Sequence, residues 1–235
     1  MDHIANELAE FLAARVLQTP PTQRFIVGIA GVPASGKSTL AQIVVDKSNR
    51  LLREHRASDG SDTNSAVLVG LDGWHLTRAQ LDAFPDPKLA HDRRGAHWTF
   101  DGESYKEFVQ QLREPLPEPL PSTSTSDCHN IIYAPSFSHE LKDPTPRAIS
   151  IYPHHRLVVI EGLYPFLSIE PWIEAGRLLD ERWWVELGEA EARERLVARH
   201  VLSGVAKDLE EADWRAREND APSELNFAKP TRRMD

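Results

Sequence analysis

Short apolar runs recur along the chain and predict buried strands. They are rich in β-branched residues and are bounded by polar or turn-forming residues, as strands covered on both faces are. The strongest runs cover residues 24–30, 66–71, 157–160 and 182–187, and shorter candidates cover 131–134 and 148–152. Such near-continuous apolar strands favour a parallel sheet.

An apolar stripe at helical spacing marks the start of the chain and predicts an amphipathic helix over residues 1–18 that docks on the domain. Acidic residues interrupt this stripe, which disfavours a mitochondrial transit peptide because such peptides are poor in acids. The members of the stripe are Ile4, Leu8, Phe11, Leu12 and Val16.

Helical patterns alternate with the strands. They cover residues 37–47, about 101–112 with Asp101 as the N-cap, 189–202 and 208–218. Residues 84–99 are rich in Pro, Asp, Arg and His and predict irregular structure, while the tail from residue 224 is ambiguous. The alternation predicts one α/β domain over residues 1–235, with a central parallel sheet flanked by helices on both faces.

The segment that follows the first strong strand matches the phosphate-loop (P-loop) pattern G-x-x-x-x-G-K-[ST] in full. Its glycines let successive backbone N–H groups face an anion, and the next helix points its positive end at the same phosphates. Lys37 is predicted to reach the β- and γ-phosphates of ATP, and the Ser38 hydroxyl is predicted to bind Mg²⁺. The predicted nucleotide-binding residues are Gly31, Val32, Pro33, Ala34, Ser35, Gly36, Lys37, Ser38 and Thr39.

Two acids stand where other buried strands end. Asp72 follows the strand at 66–71, and Glu161 follows the strand at 157–160. Ligands of parallel sheets bind beyond the carboxyl ends of the strands, so we expect both acids beside the P-loop. One acid can hold Mg²⁺ while the other accepts a proton from an attacking hydroxyl, and position alone does not say which does which.

Composition narrows the partners. The formal net charge is −9, which disfavours general binding to nucleic acids or anionic membranes. There is one cysteine and no apolar run long enough to span a membrane, and the first residues lack the layout of a secretion signal. These features indicate a cytoplasmic protein, whose oligomeric state, monomer or homodimer, is left open.

Several segments beyond the P-loop resemble the uridine kinase, pantothenate kinase and phosphoribulokinase family, and within it a uridine kinase-like branch with fungal and bacterial members. The similarity runs from about residue 24 to 222. The Asp-Gly-Trp-His and Arg-Arg-Gly-Ala-His-Trp-Thr-Phe-Asp segments are its most specific parts. The resembling segments are Gly28–Ser38, Asp72–His75, Arg93–Asp101, Tyr133–His139, Asp143-Pro144 and Glu161–Tyr164.

The resemblance implies roles for individual residues. Asp72 corresponds to the catalytic base near the acceptor hydroxyl, and Glu161 corresponds to a Mg²⁺ ligand together with Ser38. Arg195 and Arg199 match the arginines of a small helical lid, which we place at about residues 189–205. These two arginines lie four positions apart and therefore share one helix face.

An acceptor-side insertion is expected at about residues 84–150. Its predicted acceptor contacts are Arg93, Arg94 and His139, and His75 is predicted to border the same pocket. The family often has Phe-Asp-His where this chain has Phe137-Ser138-His139, which weakens any role for Ser138.

Together these features predict an ATP- and Mg²⁺-dependent kinase that phosphorylates a hydroxyl group of a small metabolite. A uridine-like nucleoside is the leading acceptor, while pantothenate, nicotinamide riboside and a sugar stay open. The alternatives are an NTPase that uses water as the acceptor and a nucleotide-binding protein without catalysis. The chain has no Asn-Lys-x-Asp motif of GTPases, which disfavours a GTPase switch.

Overall fold

A computed structural model describes residues 2–56, 63–117, 130–138, 140–202, 207–218 and 230–234. The strands in these residues are β1 (Phe25–Gly31), β2 (Ala66–Gly70), β3 (Ile132–Ser138), β4 (Asp143–Ile151), β5 (Leu157–Gly162), β6 (Glu181–Val185) and β7 (Arg232–Met234). The α-helices are α1 (Asp2–Gln18), α2 (Lys37–Arg56), α3 (Arg78–Asp82), α4 (Pro87–Asp92), α5 (Gly102–Leu112), α6 (Trp172–Arg177), α7 (Glu189–Leu202) and α8 (Leu209–Glu218). Short 3₁₀ helices cover Leu71–Trp74 and His97–Thr99.

The central sheet is parallel and has the strand order β2-β5-β1-β6-β7. Every residue of β1 is buried, as expected for a strand with neighbours on both edges and helices on both faces. Glu161 of β5 lies opposite Ile29 of β1 and Gly70 of β2, so the carboxyl ends of these three strands meet at one edge. The predicted parallel α/β fold is therefore confirmed.

Two hydrophobic cores cover the two faces of the sheet. Successive side chains of a strand point to opposite faces, so Ile26 belongs to one core and Val27 to the other. Aromatic side chains from α5 and α6, including Trp172, fill the first core. Helices α1 and α2 cover the second, where Leu8 and Val44 are buried. The N-terminal helix therefore packs on the domain where its apolar stripe was expected to dock.

Helix α2 extends beyond its predicted end at Lys47 and continues to Arg56. The residues directly after Lys47 are polar, so the apolar pattern does not predict this extension. One of these polar residues is hydrogen-bonded to a neighbouring strand. The Asn49 amide accepts a hydrogen bond from the Ala66 N–H at 2.8 Å and donates one to the Ala66 carbonyl at 3.0 Å. A polar residue thus joins the buried face of α2 to the start of β2.

Residues 84–99 contain more regular structure than predicted. Asp86 caps helix α4 by accepting a hydrogen bond from the Leu89 N–H at 2.9 Å, and Pro87 occupies its first turn.

Strands β3 and β4 are longer than the two short candidates and form an antiparallel hairpin with a β-bulge near Ala134. This hairpin lies against the 3₁₀ turn that carries Asp72.

The ambiguous tail contains β7, an edge strand parallel to β6. Three residues are too few for a sequence pattern, and the strand is defined by its partner: the Glu186 N–H donates to the Met234 carbonyl at 2.6 Å. Short helices α3 and α6 were also not predicted. No helix in the described part of the chain combines the length and the hydropathy needed to cross a membrane.

Candidate active site

The P-loop connects β1 to α2 and is shaped by its two flanking glycines. A Cβ on Gly31 would lie 2.8 Å from both the Ser35 Oγ and the Val185 carbonyl oxygen, so the backbone passes where a side chain does not fit. Gly36 has a φ of 85° and Ala34 a φ of 63°, which curl the loop. The Lys37 Nζ donates to the Val32 carbonyl at 3.4 Å and so lies across the loop. This curled backbone fits an anion.

Ser38 and Glu161 meet at the edge of the sheet. The Ser38 hydroxyl donates to the Glu161 Oε2 at 2.9 Å, which joins the first turn of α2 to the end of β5. Burial raises the pKa of Glu161, and the negative charge of Asp72 adds to this rise. The Ser38 hydrogen bond and the positive charge of Lys37 oppose it. These side chains, from three different elements, therefore share one electrostatic environment.

The Ser38 and Glu161 oxygens are hard donors of the kind that Mg²⁺ prefers. Among the described residues, no group of three His, Cys, Asp or Glu side chains could hold a metal ion. A metal at this edge would therefore depend on Ser38, Glu161 and oxygens supplied by the nucleotide or water, as Mg²⁺ sites at phosphates generally do. The residues present fit that arrangement.

Asp72 is carried by the 3₁₀ turn after β2, and glycines hold this turn against its neighbours. A Cβ on Gly73 would collide with the Pro135 carbonyl of β3, and a Cβ on Gly162 would collide with the Leu71 side chain. Each glycine that follows a candidate catalytic acid is therefore required by close packing. The Asp-Gly and Glu-Gly pairs fix both acids relative to the sheet and the hairpin.

His75 lies near the β3–β4 hairpin, in an aromatic cluster. Its ring is edge-on to Phe100, with centroids 3.9 Å apart, and lies 5.1 Å from the Phe137 ring. A backbone bridge also pairs His75 with Phe100. His75 thus joins the turn after β2 to the hairpin, and its predicted contact with an acceptor stays a prediction.

Arg94 is held by several partners around the hairpin. Its guanidinium donates to the Lys142 carbonyl at 2.6 Å, the Leu76 carbonyl at 2.9 Å and the Asp143 Oδ1 at 2.9 Å. Arg78 binds the same carboxylate through its backbone N–H at 2.9 Å and its Nε at 3.3 Å. Partial desolvation raises the pKa of Asp143, but these hydrogen bonds outweigh it and hold the pKa below its ordinary value.

We call Asp143, Arg94 and Arg78 the hairpin clamp, because they join β4 to the segment after Asp72. Arg93, the neighbour of Arg94, is the half-buried C-cap residue of α4. His139 lies outside the described residues. The proposed acceptor contacts of Arg93, Arg94 and His139 therefore stay predictions, and Arg94 has a structural role that its sequence context did not indicate.

Helix α7 occupies the region predicted to form a lid, and α8 follows it. Arg193 of α7 forms an ion pair with Asp213 of α8 at 2.5 Å and so joins the two helices. The Arg195 side chain is 49% exposed and pairs with Glu191 one turn earlier, at 2.5 Å. Arg199 lies on the same helix, but its side chain is outside the described residues.

A cleft of about 300 Å³ opens between the P-loop and α7. Its polar wall includes Ser35 and Gly36 of the P-loop and the Glu191–Arg195 pair. Its apolar wall consists of Ile4, Leu40, Val185, Leu187 and Met234. Sequence reasoning missed this apolar wall because its members come from four separate segments. The strand-like run at 182–187 and the N-terminal apolar stripe with Ile4 contain members of it, but neither pattern indicates a cleft.

Known proteins resemble the chain along most of its length, although no family model matches it. The ATP-dependent kinase-like protein notR' of Aspergillus versicolor is 47% identical over 145 residues, which cover 62% of this chain and 79% of that protein. A candidate uridine kinase of Schizosaccharomyces pombe, C227.14, is 33% identical over 219 residues, which cover 93% and 81%. The Saccharomyces cerevisiae ATP-dependent kinase YFH7 is 31% identical over 178 residues, and the match spans 50% of its length.

Solved structures have the same fold. The YFH7 structure from Saccharomyces cerevisiae, described as a candidate P-loop kinase with a circular permutation, has a TM-score of 0.78 at 22% identity and covers 100% of this chain and 99% of its own. A candidate fructose transport system kinase from Silicibacter sp. TM1040 has a TM-score of 0.72 at 24% identity, with coverage of 97% and 98%. The curated relatives confirm the resemblance drawn from the motifs, and the structures confirm the P-loop kinase fold.

Proposed function

We propose that this chain, which belongs to the uridine kinase-like family of P-loop, ATP-dependent kinases, transfers the γ-phosphoryl group of ATP to a hydroxyl group of a small metabolite. The observation that carries the proposal is the meeting of three functional elements at one sheet edge. The P-loop, the Ser38–Glu161 pair and the Asp72 turn converge there. The charges of both Lys37 and Asp72 affect the pKa of Glu161.

The P-loop residues would hold the ATP phosphates, with Lys37 beside the β- and γ-phosphates. Ser38 and Glu161 would hold Mg²⁺, which neutralises phosphate charge when bound. The burial that raises the pKa of Glu161 makes its negative charge costly in the free protein. A cation beside this carboxylate would relieve that cost, which supports the metal role of Glu161.

Asp72 is the proposed base. It lies on a turn between the P-loop and the hairpin, which supports a role in which its carboxylate would orient an acceptor hydroxyl and take its proton. Closure of α7 would then exclude water, which otherwise competes as an acceptor. Arg195 would leave Glu191 for the phosphates during closure, and Arg199 would follow from the same helix.

A uridine-like nucleoside is the acceptor we favour. The name of the Schizosaccharomyces pombe relative and the motif resemblance support a nucleoside. The name of the Silicibacter neighbour keeps a sugar in the set, and pantothenate and nicotinamide riboside complete it. These acceptors share an exposed primary hydroxyl, which is the group that Asp72 would activate.

The test measures ADP formation from Mg²⁺·ATP with each acceptor in turn: uridine, cytidine, nicotinamide riboside, pantothenate and fructose. A phosphorylated product identified by mass spectrometry, formed far more slowly by an Asp72→Asn control, would support the proposal. ADP released at the same rate with and without every acceptor would indicate an NTPase that uses water. ATP binding without ADP formation under any condition would indicate a nucleotide-binding protein and overturn the proposal.

A further inference from the structure

Two segments that are far apart in sequence meet at the cleft beside the P-loop. Ile4 comes from the first turn of α1 and Met234 from strand β7, and both line the same cleft as Ser35 and Gly36. The cleft therefore begins at the P-loop, but part of its lining comes from elements outside the loop. We call Ile4 and Met234 the outer wall.

Strand β7 is held in place mainly by β6. Its pairing is parallel, and the Glu186 N–H donates to the Met234 carbonyl at 2.6 Å. Arg233 adds an ion pair with Glu186 at 2.8 Å, and the backbone N–H of Arg182 donates to the Thr231 Oγ1 at 2.9 Å. These contacts fix the strand along the sheet edge, but they do not fix α1.

Arg232 connects β7 to α1. Its guanidinium lies 4.6 Å from the centroid of the Phe11 ring of α1 and 5.7 Å from the centroid of the Trp183 ring of β6. The two rings are 6.4 Å apart, so the cation bridges the gap between the helix and the sheet. Cation–π contacts of this kind are attractive over such distances. Arg232 thus holds both halves of the outer wall in register.

The chemistry of the cleft fits a flat heterocycle that is attached to the P-loop's anion. Its lining combines apolar side chains with the phosphate-binding backbone and the charged side chains of Glu186, Glu191 and Arg195, and its volume of about 300 Å³ suits a small molecule rather than a macromolecule. An ATP whose phosphates lie on the P-loop would place its base in this space, because the cleft begins at Ser35 and Gly36.

We propose that the outer wall is an ATP-affinity element, and that the Phe11–Arg232–Trp183 contact holds it against the base of the nucleotide. This inference rests on the proposed function, since it takes ATP as the phosphoryl donor. Ile4 and Met234 would contact the base, whereas Arg232 is a positioning residue that acts through them. ATP affinity therefore depends on α1 and β7, although neither belongs to the P-loop.

The test compares two ligands that both carry a triphosphate for the P-loop, of which only one carries a base. Dissociation constants of Mg²⁺·ATP and of Mg²⁺·tripolyphosphate are measured by calorimetry for wild type, Arg232→Ala, Met234→Ala and Met234→Leu. We expect Arg232→Ala and Met234→Ala to weaken ATP binding about tenfold, the effect of losing a small apolar contact in a ligand pocket. Tripolyphosphate binding should stay unchanged, and Met234→Leu should retain ATP affinity because it keeps the apolar volume.

Arg15→Ala is the matched control. Arg15 lies on the same helix and also stacks on an aromatic ring, 5.5 Å from the centroid of Phe25, but it does not line the cleft. Its loss should leave both dissociation constants unchanged. Equal ATP affinity in wild type, Arg232→Ala and Met234→Ala would overturn the outer wall, as would a parallel loss of ATP and tripolyphosphate binding. A Lys37→Ala protein distinguishes the two proposals, because failure of the P-loop itself would weaken both ligands.

Discussion

On one side of Asp72, the P-loop grows directly out of β1 and continues into α2, and its shape is set by backbone torsions and two glycines. On the other side, which is the proposed acceptor side, residues 75–100 and the β3–β4 hairpin are held by side chains. His75 packs between aromatic rings, and the hairpin clamp joins Arg94 and Arg78 to Asp143. The phosphate side is a continuous stretch of chain, whereas the acceptor side is assembled from distant pieces.

This difference has a physical basis. A phosphate is bound largely by backbone N–H groups and a helix terminus, which any sequence with the right glycines can supply. A metabolite hydroxyl must instead be placed by particular side chains, whose positions depend on the packing of several elements. The phosphate side should therefore tolerate change on the acceptor side, while Asp72 at the junction should affect the chemistry of both.

The largest effect is expected from Asp72→Asn. Asn keeps nearly the same shape but cannot accept the proton, and general bases typically contribute about 10²–10⁴-fold. We expect kcat with the true acceptor to fall in that range while ATP affinity changes little. Collapse of Mg²⁺·ATP binding would join Asp72 to the metal site and make Glu161 the better candidate for the base. Turnover within about twofold of wild type, far short of that range, would remove the catalytic role.

Lys37→Ala comes next and tests the phosphate side alone. Lys37 would stabilise the negative charge that develops on the phosphate in the transition state. Removing this preorganised positive group should lower kcat by about 10²–10³-fold. The fold should persist, because the Lys37 hydrogen bond to the Val32 carbonyl is long, at 3.4 Å, and therefore weak. Circular dichroism and thermal unfolding serve as the control for folding. Full activity in a folded Lys37→Ala protein would contradict phosphate binding by this loop.

The two sides also differ in how far the sequence predicted them. The P-loop, Asp72 and Glu161 could be placed because each lies directly after a strong apolar strand, so local pattern determines their position. The hairpin clamp could not, since Arg94 finds its carboxylate partner 49 residues away. Arg94 was accordingly interpreted as an acceptor contact from its loop context alone.

The same rule holds for the fold. Four strands of the sheet, β1, β2, β5 and β6, follow from the apolar pattern, whereas the edge strand β7 is paired with β6 and contacted through Arg232 without a sequence pattern of its own. Helix α2 extends past its predicted end for a similar reason. The Asn49 amide in the extension is hydrogen-bonded to Ala66, 17 residues away. Elements whose stability comes from distant partners leave little trace in local sequence.

Glu161→Gln should raise the Mg²⁺ concentration needed for half-maximal activity by at least about tenfold, the range seen when metal-supporting groups are lost. It also has a stability signature. The folded-state pKa of Glu161 lies above the ordinary value of 4.5, so this acid lowers the stability of the ligand-free protein as the pH rises above 4.5, and the loss is complete once the pH exceeds the folded pKa. Glu161→Gln should therefore have a higher free energy of unfolding than wild type at pH 7.

That gain should disappear below about pH 4, where Glu161 is protonated in both the folded and the unfolded states. Urea unfolding at the two pH values, without nucleotide or metal, measures the difference. An unchanged Mg²⁺ titration together with equal stability at pH 7 would make Glu161 a structural acid. It would also leave Asp72 as the candidate metal ligand, and one residue would then serve both the phosphate side and the acceptor side.

The smallest effect, and the one that isolates the acceptor side, is expected from Asp143→Ala. Asp143 receives hydrogen bonds from Arg94 and Arg78, and its partly exposed position limits their strength. Loss of an ion pair worth about 1 kcal/mol should raise the KM for the acceptor roughly fivefold, because the hairpin would be held less firmly beside Asp72. The KM for ATP should stay unchanged, since no member of the hairpin clamp lines the P-loop cleft.

Glu174→Gln is the matched control, because it removes an ion pair with Lys106 between α5 and α6 and should change neither KM. An equal rise in both KM values for Asp143→Ala would show that the hairpin supports the phosphate side as well, and that the two sides do not act separately.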